Sequence, residues 1–195
     1  MKKTILILSL FAGSLQLNGQ YLHHDITASY GIVTTDQVAD VLKDVLTTIF
    51  SFGTYEKDNY NYSGALFLTY KRPVTYRLHL GGTIGMDNVS GDLVSDNIKY
   101  GEFATKHTTL AAEADLRWVK RNWLQMYSGL GLGYTFTSEQ GTYTDTGESD
   151  INRSGHLAIQ ANALGIRLGK RLGGFMEVGF GYKGILNFGL SYQFE

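Results

Sequence analysis

Residues 184–195 read GILNFGLSYQFE, and their parity decides the fold. Leu186, Phe188, Leu190, Tyr192 and Phe194 share one parity, while Ile185, Asn187, Gly189, Ser191 and Gln193 share the other. A period of two places alternate side chains on opposite faces of a strand. One face is wholly apolar and the other mostly small or amide. In a soluble sandwich the apolar face packs inward and the polar face meets water. In a transmembrane barrel the apolar face meets lipid and the polar face lines the lumen.

Working outward, the N-terminus favours export. Lys2 and Lys3 precede an uncharged run from Thr4 to Leu17 that closes on Asn18, Gly19 and Gln20. A basic start, a short apolar stretch and small residues at its end are the parts of a secretory signal peptide, expected over 1–20. The run is too short to span a bilayer as a helix. Without Lys2 and Lys3 the chain carries 15 basic and 18 acidic residues, so no basic excess points to nucleic acid. With no Cys, neither a disulfide framework nor a thiolate metal site exists. The 24 Gly, 13 Tyr and 10 Phe against one Pro suit a closed antiparallel sheet, expected as one domain over 21–195.

Alternation then recurs along the chain. Asp25 to Ile32 is a first strand with Ile26, Ala28, Tyr30 and Ile32 on its apolar side. Ser63 to Lys71 is a second, closed by a turn at Lys71, Arg72 and Pro73, and Thr75 to Asp87 a third. In the fourth, Leu110, Ala112, Ala114, Leu116 and Trp118 share one face and Glu113, Asp115 and Arg117 the other. The fifth runs from Leu124 to Phe136. The sixth, His156 to Lys170, slips phase near Ala161 to Ala163, as a bulge would. The seventh sets Met176, Val178, Phe180 and Tyr182 outward against Glu177, Gly179, Gly181 and Lys183. Residues 184–195 make the eighth.

One segment departs from this period. Val38, Val41, Leu42, Val45, Leu46, Ile49 and Phe50 recur at spacings of three and four, which predicts an amphipathic helix over about 36–50. Thr34 and Gln37 form a capping box at its start. Such a helix packs on the barrel rim, caps the mouth, gates an opening or lies on the membrane. The polar stretches 55–62, 88–107 and 138–154 are expected as loops. Short turns with basic pairs at 71–74, 120–122 and 170–174 then lie at one end, and the helix and two acidic loops at the other.

On these residues the chain resembles the small outer-membrane β-barrel proteins of Gram-negative bacteria, the eight-stranded group that includes the OmpA membrane domain and OmpX. The resemblance covers nearly all of 21–195 through pattern and implies an eight-stranded antiparallel transmembrane barrel. It implies outer-membrane lipid as the surroundings, a monomer, and recognition of the C-terminal strand by the barrel-insertion machinery. Phe194 is penultimate here, whereas the group's last strand usually ends in an aromatic. An extracellular ligand, if any, is left undefined.

A barrel of this size fills its interior with side chains. The expected lumen sets Arg77, Arg117, Arg167 and Lys183 against Glu113, Asp115 and Glu177, with His79, Gln125, Tyr127 and Asn187 among them. Paired, these charges hold the barrel shut; exchanging partners, they line a narrow conduit for protons or small solutes. The favoured function is a non-enzymatic envelope or surface role with no cofactor and no metal. Gly179, Gly181 and Gly184 spell GxGxxG, but no helix follows, so no dinucleotide site is expected. Asp145, Glu148 and Asp150 lack the spacing of an EF-hand. A lipid-modifying enzyme is the remaining alternative, requiring His107 and His156 to converge on a Ser in a lipid-facing cleft near Ser154 and Glu102.

Overall fold

The computed structural model describes residues 23–37, 56–95, 98–143 and 149–195. Eight antiparallel strands close into a barrel, each paired with its neighbours in sequence. They are β1 (His24–Ile32), β2 (Glu56–Pro73), β3 (Leu78–Ser95), β4 (Ile98–Lys120), β5 (Leu124–Tyr143), β6 (Ser149–Gly169), β7 (Leu172–Gly181) and β8 (Leu186–Phe194). Closure is made by β1 and β8, in continuous register from His24 opposite Phe194 to Ile32 opposite Leu186. The signal-peptide expectation for 1–20 lies outside the described residues.

Polarity is inverted relative to a soluble protein. Leu66, Leu68, Leu130, Leu132, Ile159 and Leu190 are exposed on the outside, while Glu113, Asp115, Arg117, Arg167 and Lys183 are buried inside. On β8, Phe188, Leu190 and Tyr192 are exposed outward, with Leu186 and Phe194 half-buried on the same side. Aromatics mark the edges of this apolar surface: Tyr76, Trp118 and Trp123 beside the short turns, Tyr134 and Phe136 further along β5. Such girdles sit at membrane interfaces.

The strands fall into two lengths. β1, β7 and β8 have 9, 10 and 9 residues, which matches the roughly 9–11 that a tilted strand needs to cross a bilayer. β2 to β6 have 18, 18, 23, 20 and 21, about twice that. The polar stretches expected as loops are therefore largely strand: β3 and β4 stay paired from Asn88 opposite Lys106 to Ser95 opposite Ile98, and β5 and β6 to Thr142 opposite Ser149. There the inward face stays covered at Val89, Phe103, Thr105 and His107, but it mixes apolar with polar residues, so the apolar–polar alternation that marks the spanning part is lost.

One further position agrees with expectation and one differs. The register shifts between Asn162 and Leu164, which is the phase slip on β6. Tyr182, expected outward, is buried inside beside Lys183, because Gly181 at φ 143° and Gly184 at φ 89° turn the chain sharply there. Of the helix expected over about 36–50, only residues 35–37 are described as helical, and the rest lies outside the described residues. The capping box is present: Gln37 N donates to Thr34 Oγ1 and Thr34 N to Gln37 Oε1, both at 3.2 Å.

Candidate functional site

The inward face of each strand supplies one row of side chains, and the rows stack into three layers. Nearest the short turns, Arg117 Nη2 donates to Asp25 Oδ2 at 2.8 Å and its Nη1 to Gln125 Oε1. Gln125 Nε2 donates to Gln193 Oε1 at 3.0 Å, and Gln193 Nε2 to Asp25 Oδ2 at 3.1 Å. Ser191 Oγ donates to Asp25 Oδ1 at 2.6 Å and lies 2.6 Å from Arg167 Nε. Asp25 thus gathers donors from β4 and β8, joining the ends of the chain to its middle.

In the central layer Lys71 Nζ lies 2.9 Å from Glu113 Oε2 and 2.7 Å from Asp115 Oδ2. Lys183 Nζ lies 2.6 Å from Glu113 Oε1, which also accepts from Tyr182 OH at 2.8 Å. Glu177 accepts from Tyr127 OH and Asn187 Nδ2, each at 2.8 Å. Buried ions lose their hydration, and only close pairing with further hydrogen bonds offsets that loss. In these two layers the charges balance: Lys71, Arg117, Arg167 and Lys183 face Asp25, Glu113, Asp115 and Glu177. His79 is fully buried, opposite Asp115 in the β3–β4 register.

The third layer lies toward the long hairpins. Thr109 and Thr135 hydroxyls meet at 2.8 Å, and His107 Nδ1 lies 3.0 Å from Thr137 Oγ1. Val33, at φ 57°, bends the chain after β1 so that the helical turn enters the mouth. Thr34 Oγ1 donates to Asp87 Oδ2 on β3 at 2.9 Å, and Asp36 Oδ1 lies 2.8 Å from His156 Nε2 on β6. Thr34, Asp36 and Gln37 are buried. A segment bonded to both β3 and β6 lies in the mouth and not on the outer rim.

Most of the expected lumen residues meet here, with two exceptions in placement. Arg77 is exposed in the turn before β3 and does not enter the lumen. Lys71, expected in that turn, points inside; its parity with Thr69 and Phe67 was the available signal, obscured by the turn-like Lys71-Arg72-Pro73. Asp25 was on the correct face of its strand, and its position as a lone charge on a neutral face marks it in retrospect as needing a cation. The glycines of β5 admit neighbouring groups: Tyr182 lies over Gly131, Asp115 over Gly129 and Ala111 over Gly133.

The histidines of the enzymatic alternative do not form its cleft. His107 pairs in register with Thr137, and His156 with the fully buried Thr135, so both occupy the interior face of the sheet. Ser154 and Glu102 are exposed. Among the described residues, no group of three His, Cys, Asp or Glu is placed to hold a metal ion.

A closed antiparallel ring with an apolar exterior and an ion-paired interior is a small transmembrane β-barrel of the outer-membrane type. Among solved structures it is similar to Ail, the attachment invasion locus protein of Yersinia pestis. One Ail structure, in complex with the heparin analogue sucrose octasulfate, has a TM-score of 0.46 and 12% identity, covering 89% of this chain and 97% of that one. A second Ail structure has a TM-score of 0.43 and 13% identity over the same shares. No protein-family model and no curated protein matches the chain.

Proposed function

We propose that the chain is a monomeric, non-enzymatic outer-membrane protein that works as a surface-interaction module, its lumen plugged by the charge network Arg117, Arg167, Lys71, Lys183, Asp25, Glu113, Asp115 and Glu177. On this reading residues 1–20 are removed on export and Leu186 to Phe194 is the strand presented to the insertion machinery. The observation that carries it is the projecting sheet. β7 ends opposite Gln160, so among the described residues the stretch of β6 from Asp150 to Leu157 is paired with β5 alone, and every residue in it is exposed. An unpaired strand edge presents a row of backbone donors and acceptors, the template on which an extended segment of another protein adds as a further strand.

The test is to shorten the β5–β6 hairpin by removing residues 136–155, whose ends face one another in register, and to measure binding of vesicle-reconstituted protein to a panel of immobilised purified extracellular proteins. The full chain should bind at least one of them and the shortened chain should not, while both keep a heat-dependent change in electrophoretic mobility. Equal binding by the two forms would refute the projecting edge as the interaction surface. A filled lumen also leaves the protein without conducting steps in planar bilayers.

A further inference from the structure

Further basic residues ring the short turns. Arg72 and Arg77 flank the β2–β3 turn, Lys120 and Arg121 the β4–β5 turn, and Lys170 and Arg171 the β6–β7 turn. Four of them, Lys120, Arg121, Lys170 and Arg171, line one cavity of about 270 Å³ at this mouth of the barrel. Gln125 and Gln193 are its buried lining residues, and Glu195 is the one acidic side chain among the described residues that line it. Excess charge of one sign in a walled cleft focuses the field and concentrates counter-ions.

The cavity is also preorganised. Arg167, from inside the barrel, donates Nη1 to Gly169 O at 2.9 Å and Nη2 to Lys170 O at 2.8 Å and Arg171 O at 3.2 Å. Gln193 N donates to Arg171 O at 2.7 Å. On the opposite wall Lys120 Nζ donates to Tyr76 O at 3.2 Å and lies 4.8 Å from the centre of the Tyr76 ring. The turn backbones are held, and the two guanidinium groups of Arg121 and Arg171 are exposed at their tips.

We propose that this mouth is a phosphate-binding site, with Arg121 and Arg171 supplying forked donors and Lys120 and Lys170 point charges. Planar guanidinium groups match phosphate oxygens two at a time. Tyr76, Trp118 and Trp123 put the turns at the level of lipid headgroups, so the phosphate is carried by an anionic lipid or arrives free in solution.

Two arms separate these sources. The folded chain in neutral detergent is titrated with inorganic phosphate at about 150 mM salt, where weak surface attraction is screened, following the amide resonances of 120–122 and 170–172. The same resonances are followed in nanodiscs of phosphatidylglycerol and of phosphatidylcholine. Saturable shifts with inorganic phosphate assign a free anion; shifts confined to phosphatidylglycerol assign a headgroup. In either arm Arg121→Gln with Arg171→Gln should weaken binding about tenfold or more, whereas Arg72→Gln with Arg77→Gln, at the same end but off the cavity, should change it less than about threefold. No saturable shift in any arm, or equal losses in the two double variants, would overturn the site. Heat-modifiable mobility of each variant verifies that the barrel is folded.

Discussion

Glu113 is the residue on which the central layer depends. It bonds both lysines and the Tyr182 hydroxyl and is 5% exposed. Glu113→Ala leaves two buried ammonium groups short of a partner, and breaking a buried ion pair on one side costs about 3–5 kcal/mol. Tyr182→Phe removes one hydrogen bond and should cost about 1 kcal/mol. Urea unfolding midpoints of the two variants in lipid vesicles should fall in that order; a midpoint for Glu113→Ala equal to the parent would mean that water, and not Lys71 and Lys183, is its partner. The charges on the fourth strand were legible because three of them share one parity in mid-strand. Lys71 was not, because Pro73 two residues later made its neighbourhood look like a turn, although the strand runs through to that proline on register.

At the scale of elements, alternation was legible wherever lipid faced one side of a strand. It failed above the membrane: in 88–107 Val89, Phe103, Thr105 and His107 are buried while Glu102, Ala104 and Lys106 face water, so each face mixes polar with apolar residues and the sequence shows no apolar period of two. Interior volume is the other element-level property, and it was only partly readable: glycines on β5 marked where something approaches, without saying what. The structure puts the Tyr182 ring against Gly131 of β5. Gly131→Leu should therefore expel that ring, break its bond to Glu113 and lower the temperature at which the barrel unfolds in detergent by several degrees, an overpacking cost of about 1–3 kcal/mol. Gly141→Ala, where an added methyl meets nothing within 4 Å, should leave that temperature unchanged.

For the molecule as a whole, the closed ring predicts that the unboiled protein migrates apart from the boiled protein in detergent gels. A sheet with no spanning edge strand unfolds only when all its pairings fail together, whereas a soluble sandwich would give one band under both conditions. The eight-strand tally was legible, since each spanning stretch alternates with a period of two. The segment from Thr34 to Gln37 entering the mouth was not, because its direction is set by one bend at Val33 that leaves no periodic trace.

The pairing of His24 with Phe194 has a consequence in time. The two strands that seal the ring are the first and the last made, and joining chain segments so far apart is entropically slow. Hairpins between neighbouring strands form locally, but the ring cannot be completed while the nine residues of β8 are still missing. Loss of β1 or of β8 therefore leaves an open sheet with two unsatisfied borders in the middle of a hydrocarbon layer.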